Sequence, residues 1–268
     1  MRPRDLSHRP GITMLRRSAA GFALVSVLTG AFAHAPPPRA AAVVNVVLVH
    51  GAFVDASGWR PVYDILTAHG FRVTMVQEPL TSFENDVLAT RRVLDRLDGS
   101  CVLVGHSYGG AVITAAGVHP RVAALVYIAA HALDDGETEA GNGKRFPSSM
   151  RPLVKTPDGF VFLDPSNFPS DFAADLPRSQ SDFMAHAQVP AAATVFTIPA
   201  SHPAWKVKPT WYMVAAADKV INPSLERMYA ARAHSHSVEV PNASHAVYIS
   251  HPAEVAALIE DAARHGSP

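Results

Sequence analysis

Between residues 43 and 263 the hydrophobic positions follow two alternating rhythms. Residues 43–49 (VVNVVLV) form an almost unbroken aliphatic run without apolar–polar alternation. Such a run predicts a strand covered on both faces, as in a parallel sheet. Residues 57–69 predict a helix, because Trp59, Val62, Tyr63 and Leu66 recur at i, i+3, i+4 and i+7, and Gly70 stands where a helix-ending glycine belongs. Residues 72–77 read as a second strand. Phe83, Val87, Leu94 and Leu97 lie on one stripe of the next helix, which stops near Gly99. A third buried strand over 101–105, a small-residue helix over 108–118 and a fourth strand over 122–129 continue the series. This alternation predicts an α/β fold: a mostly parallel central sheet with right-handed crossovers and helices on both faces.

The rhythm breaks between about residues 131 and 208. Helical signals there are short, Pro and Ser/Asp punctuation is dense, and Phe146, Phe160, Phe162, Phe168, Phe172 and Phe183 recur. So many aromatics predict a compact, cap-like insertion packed on the sheet; the competing reading is an irregular surface excursion. Alternation resumes with a strand at 210–216, a helix at 223–233 and a last strand at 237–240. The closing helix has Pro252 at its first position and Val255, Leu258, Ile259 and Ala262 facing inward. No internal repeat is evident. Residues 41–268 are therefore read as one domain carrying the insertion.

Residues 1–40 have a different character. Arg16-Arg17 precedes an uncharged, mostly apolar stretch over 18–33, then Ala33-His34-Ala35 and three prolines. A basic start, a short apolar middle and an A-x-A site are the pattern of a secretory signal peptide, and the stretch falls short of the roughly 20 residues of a membrane span. The expectation is export to the periplasm or medium, with no membrane span after cleavage. The adjacent arginines permit the twin-arginine route, Met14 is an alternative start to Met1, and an uncleaved anchor is the competing reading.

Composition then narrows the function classes. Lys+Arg and Asp+Glu each total 23, so there is no basic excess to point at nucleic acid. The 14 histidines are scattered without metal-ligand spacing, and even His234 and His236 read as a solvated helix end. No metal or cofactor is expected. Cys101, the single cysteine, sits in an apolar run and reads as an inert core thiol. Nothing in the sequence addresses oligomeric state.

The chemistry concentrates in three places. Gly105-His106-Ser107-Tyr108-Gly109 is G-x-S-x-G between a predicted buried strand and a predicted helix. That turn is so sharp that the flanking residues must be nearly free of side chain, and it presents the serine oxygen at a helix N-terminus. A serine hydroxyl needs a base and an orienting acid. His245, after the last strand, is the candidate base; His251 is the poorer choice, and His106 is expected to point away from Ser107. Asp218, ending the penultimate strand, is the candidate acid, with Asp134 and Asp135 in reserve. The order Ser107, Asp218, His245 differs from that of the other serine-protease types. Oxyanion donors are expected from the N–H groups of Tyr108 and Ala52, with His50 bracing the first loop by hydrogen bonding. Phe53, Tyr108 and Trp205 are candidate substrate contacts.

Val46-Val47-Leu48-Val49-His50-Gly51-Ala52, Gly105–Gly110, the Asp218 segment and Ser244-His245 together resemble the α/β-hydrolase superfamily. More narrowly they resemble its branch of small bacterial carboxylesterases, plant methyl esterases and hydroxynitrile lyases. The resemblance spans nearly all of residues 43–263 and implies cofactor-free hydrolysis of a small-molecule carboxylic ester through an acyl-enzyme. The lyases of that branch carry a threonine in the first loop and a lysine after the histidine. Gly51 and Ala246 stand there, which disfavours cyanohydrin cleavage, and Ser107 excludes chemistry that needs an aspartate nucleophile. The remaining alternatives are haloperoxidase/perhydrolase or amidase activity on the same trio, and a small-molecule-binding protein without catalysis.

Overall fold

The computed structural model describes residues 43–266; the expected signal peptide and its flank lie outside the described residues. The chain begins with β1 (Asn45–Val49), a short 3-10 turn (Ala56–Trp59), α1 (Arg60–Ala68) and β2 (Arg72–Val76). It continues through α2 (Phe83–Asp95), β3 (Cys101–Ser107), α3 (Tyr108–Ala116) and β4 (Val122–Ala130). The 3-10 turn occupies what the sequence pattern reads as the first turn of a helix. Asp55 accepts a hydrogen bond from Ser57 N–H there, and Pro61 supports the start of α1 proper.

The insertion follows: α4 (Glu139–Arg145), β5 (Val154–Lys155), β6 (Phe160–Phe162), α5 (Phe168–Asp171), α6 (Arg178–His186) and β7 (Ala191–Ala192), then 3-10 turns at Ala193–Thr197 and Ala204–Lys206. β8 (Thr210–Ala215), α7 (Pro223–Arg232), β9 (His236–Val240), α8 (Val247–Ser250) and α9 (Pro252–His265) complete the chain.

The main sheet has six strands in the order β2-β1-β3-β4-β8-β9, every pair parallel. Its four inner strands are buried at every residue, whereas β2 and β9, at the edges, are largely open. This explains why the inner strands read as unbroken apolar runs. Right-handed crossovers that change direction after β2 put α1 on one face and α2, α3 and α7 on the other. Accordingly α1 packs with α9, and α2 packs with α3.

The direction change falls between β1 and β3, the switch point where open α/β sheets leave a crevice at their carboxyl ends. Val49 is paired with Gly105 there, so the loop after β1 faces the turn after β3. The insertion forms a small antiparallel sheet, β5-β6-β7, and is tied to this edge. Ser149 and Met150 N–H donate to Lys219 O at 3.1 and 2.9 Å, Ala192 N–H donates to Leu80 O at 2.8 Å, and Ala246 N–H donates to Phe172 O at 3.0 Å. Among the described residues no helix is long and apolar enough to cross a membrane.

Candidate active site

Ser107 ends β3 and immediately precedes α3, with φ 54° and ψ −123°. A non-glycine residue at positive φ costs of order 1–3 kcal/mol and persists only where its surroundings impose it. The two flanking glycines make the turn possible. A Cβ at Gly105 would lie 2.5 Å from Gly109 O, and one at Gly109 would lie 2.5 Å from His50 O. The strand, the helix and the first loop thus meet backbone to backbone.

His245 follows β9, and its Nε2 is 2.8 Å from Ser107 Oγ. Its Nδ1 is 2.5 Å from Asp218 Oδ2, and Asp218 lies just beyond β8. Ser107, His245 and Asp218 are 7%, 0% and 4% exposed. The second oxygen of Asp218, Oδ1, accepts from Val220 N–H at 2.6 Å and Ile221 N–H at 3.0 Å. With the carboxylate accepting on both oxygens, Nδ1–H of His245 donates to it, leaving Nε2 to accept from the serine hydroxyl. Phe172 from the insertion packs edge-on against the imidazole, with ring centroids 4.8 Å apart.

His106 turns to the rear, where its Nε2–H donates to His245 O at 2.9 Å. Burial first, and then His245, hold its pKa well below the usual histidine value, so it is neutral. Another buried carboxyl stands behind the trio. Glu226 Oε2 accepts from Ala215 N–H at 3.0 Å, and its other oxygen, Oε1, is buried without a partner among the described residues. Burial, reinforced by the nearby Asp218, pushes the Glu226 pKa well up, so Glu226 is neutral. The other candidates lie elsewhere. His251 is bonded to Ser250 Oγ at 2.8 Å, while Asp134 and Asp135 both pair with Lys206.

The first loop is held by His50. Its Nδ1–H donates to Gly51 O at 2.8 Å, and its Nε2 accepts from Glu78 N–H at 2.9 Å. Burial pulls the His50 pKa down, in keeping with one donor and one acceptor on a neutral ring. Phe53 adopts φ 69°, turning the chain sharply just after Ala52. Tyr108 is the first residue of α3, so its N–H has no intrahelical acceptor.

Ala52, Phe53 and Ser107 line a cavity of about 310 Å³ whose other walls are mostly apolar, including Phe146, Met150, Leu153, Phe196 and Ile221. Trp205 is not on that wall, which corrects the sequence expectation. Its indole N–H donates to Leu133 O at 2.8 Å, and Lys206 and Arg232 sit over its ring. The Tyr108 ring is also off the cavity: it is buried between Phe83 and Phe196, and its hydroxyl donates to Asp86 at 2.6 Å.

Three polar residues near the site escape the sequence reading: Glu78, His131 and Glu139. His131 and Glu139 line the cavity. His131 carried a readable signal, since it directly follows β4 at the same sheet edge as Ser107. Glu139 carried none, because insertion geometry is not written in periodicity.

The arrangement can move a proton from the serine hydroxyl to the imidazole while the carboxylate stabilises the resulting cation. The alpha/beta hydrolase family model matches residues 46–258. A pyrethroid hydrolase of Sphingobium wenxiniae is 27% identical over 250 residues, covering 82% of this chain and 87% of that protein. Methylesterase 2 of Arabidopsis thaliana is 28% identical over 158 residues, 53% of this chain and 58% of that protein. Among solved structures, polyneuridine aldehyde esterase superposes with a TM-score of 0.70 at 18% identity, covering 82% of this chain and 98% of that one. A match over most of the chain, on this sheet order and this elbow, establishes that the protein belongs to the alpha/beta hydrolase family.

Proposed function

We propose that the protein is a serine hydrolase that cleaves carboxylic esters through an acyl-enzyme. The observation that carries this reading is the continuous hydrogen-bonded line Ser107–His245–Asp218, at 2.8 and 2.5 Å, opening on the cavity. Ser107 Oγ attacks the ester carbonyl carbon as His245 Nε2 takes its proton. The carbonyl oxygen becomes an oxyanion, held by the N–H groups of Ala52 and Tyr108. Collapse breaks the C–O bond, and His245 returns the proton to the departing alcohol. Water then repeats the sequence on the acyl-enzyme, giving the acid and free Ser107.

The relatives support ester cleavage, since they include proteins named as a pyrethroid hydrolase and a methylesterase. The mainly apolar walls favour uncharged esters. Against cyanohydrin cleavage, a Cβ at Gly51 would lie 2.7 Å from Ser107 Cβ, so this backbone has no room for a threonine there. Export through the leader at residues 1–40 belongs to the same reading, supported by its basic–apolar–A-x-A order.

The test is Ser107→Ala on the folded protein with short p-nitrophenyl esters and a fluorophosphonate probe. A loss of at least about 10³-fold in kcat, together with lost labelling, is expected. Equal turnover by both proteins would sink the assignment. Hydrogen peroxide and amide substrates offered alongside separate perhydrolase and amidase chemistry from ester hydrolysis.

A further inference from the structure

His245 sits on a turn whose backbone is held from several directions at once. Ala243 O accepts from Ala217 N–H at 3.0 Å, and His245 O accepts from His106 Nε2–H at 2.9 Å. Two further backbone bonds come from the insertion. Ala246 N–H donates to Phe172 O at 3.0 Å, and Ser244 N–H donates to Asp175 Oδ2, also at 3.0 Å. Phe172 is the residue at which α5 ends, and Asp175 lies three residues beyond it. Both neighbours of the proposed base are therefore fixed by a segment about seventy residues earlier in the chain.

Asp175 is spent on that turn and on the short helix after it. Its Oδ1 accepts from the Ser244 hydroxyl, and its Oδ2 accepts from Ser250 Oγ–H at 2.8 Å as well as from Ser244 N–H. Ser250 ends α8. Having given its one proton to Asp175, it accepts from His251 Nδ1–H at 2.8 Å. Among the described residues the Asp175 carboxylate makes no hydrogen bond inside the insertion that carries it. A carboxylate serving the insertion's own fold would bond there. This one brackets His245 instead, one residue before it and five after.

We propose that Asp175 is a positioning residue for His245: it clamps Ser244 and Ser250 on either side of the imidazole and so holds Nε2 within bonding distance of Ser107. The inference rests on the ester-hydrolase reading for the chemistry at Ser107. Asp175 is not on the wall of the Ser107 cavity, so it acts through the turn and not on the reacting atoms. The three bonds are charge-assisted, and such bonds are roughly twice as strong as neutral ones. The demand for them is steep, since a misplacement of about 1 Å can cost about 10²-fold in rate. Without the carboxylate, Ser244 N–H and two hydroxyls lose their acceptor, and the turn must shift to find others. The insertion is then more than a cover: through Phe172, whose ring meets the imidazole edge-on, and through Asp175 it completes the support of the base.

Two readouts test this on the full chain: turnover of short p-nitrophenyl esters, and the rate at which a fluorophosphonate labels Ser107. In Asp175→Ala, kcat and the labelling rate should each fall about 30-fold while KM stays within about threefold, the split expected when binding survives and the base is misplaced. Asp175→Asn keeps an oxygen for Ser244 N–H, and the serine hydroxyls can turn to accept from its amide, so kcat should recover to within about fivefold of the wild type. Arg151→Ala loosens the insertion elsewhere, removing bonds to Ser170 Oγ at 2.8 Å and Asp171 Oδ1 at 3.0 Å, and should keep kcat within about threefold. If Asp175→Ala does not fold, Ser244→Ala takes its place, with an expected loss of about fivefold in kcat for one bond of the three. Wild-type kcat in Asp175→Ala, or in Ser244→Ala where that replaces it, would overturn the proposal. So would an equal loss in Arg151→Ala, or a loss carried by KM alone. A wild type that labels at Ser107 but hydrolyses no ester would sink the ester reading, while the ratio of labelling rates would still decide the clamp.

Discussion

Two buried carboxyl–imidazole couples flank Ser107, one behind it and one on the wall of its cavity, and they are built in opposite ways. In the Asp218–His245 couple the acid is saturated: Oδ1 takes two backbone N–H groups and Oδ2 takes the imidazole at 2.5 Å. In the Glu139–His131 couple the partners stand 3.4 Å apart and one carboxyl oxygen meets no donor among the described residues. A carboxylate removed from water needs donors to stay charged, and without them it keeps its proton instead. The first couple is therefore built to stabilise a cation as it forms, and the second keeps its acid neutral. Similar residue types at one sheet edge acquire different chemistry from the backbone donors around them.

The largest expected effect comes from reversing the donor direction in the first couple. Asp218→Asn places an amide donor against Nδ1 and pushes the histidine proton onto Nε2, where it can no longer accept from Ser107. A fall in kcat of about 10⁴-fold is expected, with the fold preserved by circular dichroism. A loss below about tenfold would show that saturation of Asp218 is not what sets the imidazole tautomer.

A stability effect should follow at Glu78, whose two carboxyl oxygens also meet no partner among the described residues. Burial, then Asp86 and Glu139, push its pKa well up. A raised carboxyl means that the folded state holds its proton after the unfolded chain has released it, so stability declines as pH rises above the unfolded value of about 4.3. Glu78→Gln removes that titration. Urea unfolding should show the variant gaining on the wild type as pH rises above about 5, by up to about 1 kcal/mol per pH unit, and gaining little near pH 4. A constant difference across that range would mean that Glu78 is solvated or paired.

The smallest effect is expected behind the first couple. Glu226→Gln can still accept from Ala215 N–H, so kcat should stay within about threefold. Glu226→Leu leaves the Ala215 N–H unpaired in the interior and should cost about 1–3 kcal/mol of stability. Equal behaviour of the two variants would remove Glu226 from the network.

Much of the fold was legible because the inner strands are buried on both faces and the helices on one. These are two patterns that solvent imposes on sequence before any long-range contact is known. The elbow was legible for a similar reason: Gly105 and Gly109 answer a steric demand local to five residues. Less was legible where a side chain's fate depends on distant partners. Val247, Tyr248 and Ile249 fall in α8, just past His245 and Ala246, in an apolar run too short to show a period. Trp205 carried the same aromatic signal as Phe53, yet it was claimed by Lys206, Arg232 and a carbonyl at Leu133.

The sequence by itself determined the parallel α/β layering, the sharp turn at Ser107 and the chain order of serine, acid and base, since each depends on neighbours within a few residues. Only the tertiary structure decided which acids are charged. Ionisation in an interior depends on how many donors converge on each oxygen, and for Glu139, Glu78 and Glu226 the deciding groups come from elements far apart along the chain.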